Sequence, residues 1–188
     1  MSTRSRELMK VSPTGGIYEL RKAIAEYLKS FRGMLVDANQ IVMGAGTEYL
    51  YGMLVQLLGN NREYCIENPG YKKLVQIYQQ HQIICRYADM DEDGITVEGL
   101  RKSGADIAHI SPGHHFPSGI TMPAHRRYEV LAWANEKNGR YIIEDDYGQL
   151  PGNRLPHGRG RHGPVWRGLA PTLRFIPPKT PVSPSPRP

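Results

Sequence analysis

The sequence predicts an α/β fold built on a mainly parallel sheet that helices cover. Short apolar runs typical of buried strands alternate with longer segments of helical periodicity, from "GIYEL" near the start to "YIIEDD" at residues 141–146. Gly, Pro or Asp-rich turns separate most of these segments. Such alternation favours a parallel sheet, in which ligands bind at the carboxyl ends of the strands.

The first half of the chain contains three helices and two strands in this interpretation. "GIYELRKAIAEYLKSFRG" carries its apolar residues on one helical stripe, and Gly33 marks the end of the helix. "QIVMG" predicts a short buried strand, and "GTEYLYGMLVQLLG" a mostly apolar helix. "REYCIEN" predicts the second strand, and "PGYKKLVQIYQQH" a helix with Pro at its start.

The next elements continue the alternation as far as Tyr147. "QIICRYA" predicts the third strand, "DMDEDGIT" a turn, "VEGLRKS" a short helix and "ADIAHIS" a fourth strand that ends at "SPGHHFPSG". "PAHRRYEVLAWANEKNG" predicts a helix with Gly139 as its stop, and "RYIIEDD" a last strand. The predicted domain therefore covers residues 1–147.

The tail, residues 148–188, differs in composition from the domain. It holds 10 of the 15 prolines, no Asp or Glu, and seven of the 24 basic residues. Proline at this density predicts an irregular or disordered segment. The net charge of +6 therefore belongs to the tail, because residues 1–147 carry 17 basic and 18 acidic residues. The domain offers no electrostatic basis for nucleic-acid binding, and the tail lacks the interleaved aromatic residues that would favour it.

The cellular context is predicted to be cytoplasmic. The two cysteines, Cys65 and Cys85, lie in apolar runs without metal-ligand spacing, which favours reduced structural thiols. No apolar run reaches the length of a membrane helix, and "MSTRSRELMK" lacks the apolar segment of a signal peptide. We therefore expect neither a membrane partner nor secretion.

Four motifs at predicted strand ends carry the chemistry. "GAGTEYL" opens a helix whose amides could hold an anion, although a plain strand-to-helix turn looks the same. Tyr71 in "ENPGY" could stack on a flat ring or simply be an ordinary tyrosine. The histidines of "HISPGHHFPSG" lack further ligands at metal spacing. The carboxylates of "IIEDDY" suit a buried cation such as a protonated pyridine, or else form a solvated acidic turn.

Six segments, in their order and spacing, resemble one family. They are "GIYELRKAIAEYL", "GAGTEYL", "ENPGY", "DEDGITVEGL", "SPGHHFPSGITMPAHRRYEVLAWA" and "IIEDDY". Together they are similar to the aminotransferase-like domain of MocR regulators, a branch of the GntR transcription factors. The resemblance covers roughly Ser12 to Tyr147. It implies the large domain of the pyridoxal 5′-phosphate (PLP) dependent transferase fold type I, in incomplete form, with helices on both faces of the sheet.

The resemblance also implies cofactor-binding roles for individual residues. Thr47 and Glu48 match the helix start that holds the cofactor phosphate, and Tyr71 matches the aromatic residue stacked on the pyridine ring. Asp145 matches the carboxylate paired with the ring nitrogen. The phenol near the ring hydroxyl corresponds to Tyr147, and the phosphate-binding arginine to Arg174. The family's "HQFP" loop corresponds to His114, His115 and Phe116, with a second histidine in place of glutamine.

Three departures from the family limit the functional prediction. The winged-helix DNA-binding domain that precedes this domain in the family has almost no counterpart before residue 12, and the second half of the large domain and the small domain are also missing. The lysine that anchors the cofactor in the family aligns with Arg167, after Trp166, and a guanidinium cannot replace it. The spacing of Lys179 from Asp145 is closer to that of the family's lysine, but its neighbours in "PPKTP" do not match the family's. No catalytic residue and no metal ligand is therefore predicted.

Two functional hypotheses remain open from the sequence. The first is a truncated MocR-type domain that recognises PLP, and through it an amino acid, without covalent attachment. The second is a working aminotransferase completed by Lys179 or by a partner chain, since fold type I proteins commonly form sites at a homodimer interface. The abrupt change after Tyr147 also suggests a reading-frame change, which sequencing of the coding DNA would test.

Overall fold

The computed structural model describes residue 11, residues 13–146 and residues 172–176. Its helices are α1 (Tyr18–Arg32), α2 (Thr47–Leu58), α3 (Lys72–Gln80), α4 (Val97–Ser103) and α5 (Ala124–Asn135), with a 3-10 turn at Ala38–Gln40. Its strands are β1 (Tyr64–Asn68), β2 (Cys85–Asp91), β3 (Gly94–Ile95), β4 (Ile107–Ile110), β5 (Tyr141–Asp146) and β6 (Thr172–Ile176). In these ranges no helix has both the length and the apolar character that crossing a membrane requires.

The six strands form one sheet in the order β3-β2-β1-β4-β5-β6. The four central strands are parallel, because β1 pairs with β2 and β4, and β4 pairs with β5, all in the same direction. The two edge strands, β3 and β6, run antiparallel to their neighbours. The predicted mainly parallel sheet is therefore confirmed, and the carboxyl ends of β1, β4 and β5 meet at one edge.

Alternating side chains of the central strands feed two hydrophobic clusters on opposite faces of the sheet. On one face Cys65, Ala108 and Ile142 pack with Leu100 of α4 and Trp133 of α5. The opposite cluster contains residues of β1, β4 and β5 together with residues of α2 and α3, namely Tyr64, Ile66, Ile107, Ile143, Tyr51, Val55, Leu74 and Tyr78. Helices therefore cover both faces, which explains why β1 and β4 are buried along nearly their whole length.

The prediction of a strand in "QIVMG" is wrong. Residues 41–44 follow the 3-10 turn outside any strand, and the Met43 amide donates to the Gly15 carbonyl oxygen at 3.0 Å instead of to a sheet neighbour. The expected burial is also incomplete, because Val42 is 49% exposed. An apolar run is typical of a strand, but a strand also needs a partner in register, which a single segment does not reveal.

Three other boundaries differ from the prediction. "DMDEDGIT" forms a hairpin rather than only a turn, because β2 continues to Asp91, residues 92–93 turn the chain, and Gly94, at φ 103°, begins β3. Helix α5 ends at Asn135, four residues before Gly139. Residues 172–176 form β6 inside the tail that was predicted to be irregular, where "TLRFI" is a proline-free stretch. The rest of that tail lies outside the described residues.

The burial of side chains in the central strands predicts which substitutions destabilise the fold. Ile107→Ala in β4 should lower the free energy of unfolding by about 2–5 kcal/mol, because the fully buried side chain leaves a cavity between packed layers. Ile84→Ala is the matched control, since Ile84 is 75% exposed and should change stability by less than about 0.5 kcal/mol. Urea unfolding measures both values. Equal effects of the two substitutions would contradict the described packing.

Candidate functional site

A cavity of about 320 Å³ lies at the carboxyl ends of β1, β4 and β5. Its size falls at the lower end of the range typical of small-molecule sites. It is lined by side chains from these strand ends and from the segments that follow them, namely Ile66, Glu67, Gly70, Tyr71, Leu74, His109, Ser111, His114, Phe116 and Asp145. The structure thus gathers Tyr71 and Asp145, two of the predicted site residues, around one cavity.

Asp145 supplies a buried carboxylate to this cavity. It is 5% exposed and lies two residues after Ile143, whose register partner on β4 is His109. Residues two apart on a strand share a face, so Asp145 lies on the face covered by α2 and α3. The hydroxyl of Tyr51, on α2, donates a hydrogen bond of 2.6 Å to Asp145 Oδ2. This short bond compensates part of the cost of burying the carboxylate.

His109 is a neutral histidine beside Asp145. Its ring is fully buried, and burial lowers its pKa to about 3. The Tyr78 hydroxyl lies 2.6 Å from His109 Nδ1, and burial raises the Tyr78 pKa well above its usual range. The neutral phenol and the neutral imidazole therefore share one hydrogen bond. Within residues 13–146, His109 Nε2 makes no hydrogen bond.

Glu67 and His115 form a second buried polar pair. Burial raises the Glu67 pKa to about 8, although the Ser111 amide donates to its Oε2 at 3.0 Å. Burial also lowers the pKa of His115, whose Nε2 lies 3.4 Å from the same oxygen. The distance alone would suggest an ion pair, but both pKa shifts favour the neutral forms near pH 7. The contact therefore joins a carboxyl group and an imidazole rather than two ions.

Two aromatic rings form the exposed rim of the cavity. Tyr71 precedes α3 as its N-cap and is 42% exposed, while Phe116 is 64% exposed. Their rings meet edge to face with centroids 5.9 Å apart. Tyr71 is therefore an aromatic side chain that is partly accessible from solvent at the rim of the cavity.

The start of α2 is a glycine-led helix N-terminus without a side-chain cap. Gly46 precedes the helix at φ 104°, a conformation that favours glycine, and a side chain on Gly44 would come within 2.5 Å of the Tyr49 ring. Thr47 is the first helical residue, and the Glu48 side chain lies 3.4 Å from Lys73 on α3. Thr47 and Glu48 do not belong to the cavity lining, but this ion pair brings their helix close to the one that follows Tyr71.

The remaining predicted residues are only partly described. Tyr147, Trp166, Arg167 and Lys179 lie outside the described residues. The backbone of Arg174 lies in β6, where it pairs in register with Glu144 beside the cavity strand β5. In the part of the chain that the structure describes, no group of three His, Cys, Asp or Glu side chains is arranged for a metal ion.

Sequence reasoning missed Tyr51 and Glu67 as site residues. Tyr51 lies one helical turn after Thr47, so it could have been expected to face the sheet edge. Glu67 lies near the end of an otherwise apolar strand, just before Asn-Pro-Gly, and this single carboxylate in a buried run was a usable signal. Their pairing with Asp145 and His115 joins distant segments, which local patterns do not reveal.

Comparison with known proteins assigns the family. Residues 2–155 match the family described as aminotransferase class I and II. The chain therefore belongs to this family, and its mainly parallel, helix-covered sheet is the large-domain fold of the fold type I aminotransferases. The MocR-type resemblance is likewise confirmed, because the similar curated proteins include helix-turn-helix transcriptional regulators.

Three relatives illustrate the similarity. The uncharacterized HTH-type regulator YdeL of Bacillus subtilis is 31% identical over 180 residues, covering 90% of this chain and 39% of the regulator. The pyridoxine biosynthesis regulator PdxR of Corynebacterium glutamicum is 33% identical over 138 residues, which cover 72% of this chain and 30% of the regulator. The structure of an archaeal alanine:glyoxylate aminotransferase superposes with a TM-score of 0.64 at 26% identity. The superposition covers 72% of this chain and 36% of the aminotransferase. The chain thus spans less than half of each relative.

The Glu67 site predicts a pH-dependent stability. Below its ordinary pKa of 4.5, Glu67 is protonated in both the folded and the unfolded chain, and above about pH 8 it is ionised in both. Between these values only the unfolded chain releases the proton, so rising pH lowers the stability that this residue contributes. Glu67→Gln keeps an acceptor for the Ser111 amide and removes the titration. Relative to this variant, the unaltered chain should lose a few kcal/mol between pH 5 and pH 8.

Urea unfolding at both pH values measures this difference. Glu92→Gln, at the exposed hairpin between β2 and β3, is the control and should alter stability equally at the two values. If Glu67→Gln also shifts stability equally at pH 5 and pH 8, Glu67 is not protonated in the fold.

Proposed function

We propose that this domain binds pyridoxal 5′-phosphate noncovalently in the cavity at the carboxyl ends of β1, β4 and β5. The observation that carries the proposal is the buried Asp145 carboxylate in the cavity lining, held by Tyr51 at 2.6 Å. A buried carboxylate suits a cationic ligand, and a protonated pyridine ring is flat enough for a cavity rimmed by aromatic residues. When bound, PLP supplies the electron sink used in amino-acid chemistry.

Each part of the ligand would meet a different part of the site. Asp145 would pair with the ring nitrogen, and Tyr71 would stack on the ring from the exposed rim. The backbone amides of Thr47 and Glu48 would receive the phosphate, since helix starts favour anions. By family resemblance, Tyr147 would approach the ring hydroxyl and Arg174 the phosphate. The start of α2 supports this scheme, because its N-cap is Gly46 and no side chain caps the first amides of the helix.

The proposed biological role is ligand recognition within a MocR-type regulator. Family membership supports PLP as the ligand, and the relative PdxR is named as a regulator of pyridoxine biosynthesis. In this scheme the ligand-bound domain reports the presence of PLP, or of PLP with an amino acid, and DNA contact belongs to a separate domain. A homodimer is the assembly we propose.

A working aminotransferase is the second candidate. It is supported by the 26% identity to an archaeal alanine:glyoxylate aminotransferase over 72% of this chain. It requires a lysine from Lys179 or from a partner chain to anchor the cofactor. Measured transfer of an amino group from an amino acid to a keto acid would favour this candidate.

Asp145→Asn tests the proposed site directly. The substitution keeps the side-chain shape but removes the charge, so the dissociation constant for PLP should rise about tenfold or more. The absorbance of bound PLP measures binding. Asp93→Asn, on the hairpin between β2 and β3 and outside the cavity lining, is the control and should leave the dissociation constant unchanged. Equal binding by the Asp145→Asn variant and the unaltered chain would contradict the proposed role.

Borohydride treatment tests the noncovalent mode. After reduction and denaturing gel filtration, we expect PLP absorbance to separate from the chain, because noncovalent contacts are lost on unfolding. Absorbance that stays with the chain, with a reduced adduct on one lysine in the digested peptides, would replace this proposal by the aminotransferase candidate.

A further inference from the structure

We infer that Tyr51 is the positioning residue for Asp145, holding its carboxylate toward a ring nitrogen in the cavity. This inference rests on the proposed function, because it concerns how the same site recognises its ligand. Tyr51 does not line the cavity and would not touch the ligand. Its effect on ring-nitrogen recognition would pass through the hydrogen bond to Asp145.

The packing around Tyr51 fixes the hydroxyl in place. Tyr51 is 2% exposed, and its ring meets the His109 ring edge to face with centroids 5.0 Å apart. The Tyr78 ring lies 6.4 Å away on the same cluster. A side chain confined by two neighbouring rings has few alternative rotamers, so its hydroxyl is aimed at Asp145 without a large entropic cost.

The Tyr51 hydroxyl makes a short, buried hydrogen bond to Asp145 Oδ2, with an oxygen–oxygen distance of 2.6 Å. Such a donor stabilises the charged form of a buried acid and restricts rotation of its carboxyl group. Both effects matter for recognising a cation, because a turned or protonated carboxyl group attracts a pyridinium ring weakly. Tyr51 is therefore assigned to ring-nitrogen recognition rather than only to core packing.

Tyr64 offers a matched control for a purely structural role. It is also a fully buried tyrosine, and its hydroxyl donates to the Gly59 carbonyl oxygen at 3.0 Å, not to a carboxylate. Tyr51→Phe removes the hydroxyl that donates to Asp145, and Tyr64→Phe removes the hydroxyl that donates to Gly59. The two variants differ in which acceptor loses its donor, a carboxylate or a backbone carbonyl, and only Tyr51→Phe should weaken ligand binding.

The decisive experiment uses two probes on the full chain. One is PLP, and the other is the PLP analogue in which carbon replaces the ring nitrogen. Tyr51→Phe should raise the dissociation constant of PLP about tenfold and leave that of the analogue within about twofold. Tyr64→Phe should change both by less than about twofold. For each variant, both dissociation constants are measured on the same preparation and expressed as a ratio. A smaller folded fraction weakens the apparent binding of both probes equally, so it does not change this ratio.

Asp145→Asn completes the test as a double-mutant cycle. If Tyr51 acts through Asp145, Tyr51→Phe should have no further effect on PLP binding when it is combined with Asp145→Asn. Additive effects, or equal weakening of both probes by Tyr51→Phe, would overturn the inference while leaving the proposed function intact. Failure of the unaltered chain to bind PLP would instead overturn both.

Discussion

The hydrogen bond between Tyr51 and Asp145 is the interaction around which the polar end of the cavity is built. It joins α2, the helix after the glycine turn, to β5, the strand that ends in acidic residues. A carboxylate with 5% exposure is costly without such a donor, so the helix and the strand must keep this relative position for the site to exist. The parallel sheet positions the other strand ends of the cavity, because it brings the carboxyl ends of β1 and β4 to the same edge as that of β5.

The groups around Asp145 are polar but largely uncharged. The raised pKa of Glu67 and the lowered pKa values of His109 and His115 favour neutral forms near pH 7. Neutral neighbours can direct hydrogen bonds without competing with Asp145 for a cation. This arrangement concentrates the charge recognition of the proposed site on one carboxylate. The aromatic rim adds shape selection for a flat ligand, since its two rings are both exposed beside the cavity.

Much of the fold could be predicted from local sequence patterns, and the exceptions have physical reasons. Strand β5 and helices α2 and α4 were predicted because apolar periodicity and glycine stops are local signals. "QIVMG" was not a strand, because pairing depends on a neighbour that its own residues do not specify. The importance of Asp145 was predicted from family resemblance, whereas its partner Tyr51 was not. A contact across 94 positions depends on how the helix packs on the sheet.

The central proposal is that Asp145 recognises a protonated pyridine ring. The most direct test is the ¹⁵N NMR shift of ring-labelled PLP bound to the unaltered chain at a pH where free PLP is largely deprotonated at that nitrogen. The account predicts a pyridinium shift in the complex, because the buried carboxylate stabilises the ring proton. A pyridine shift in the complex would contradict it, since Asp145 would then face no cation.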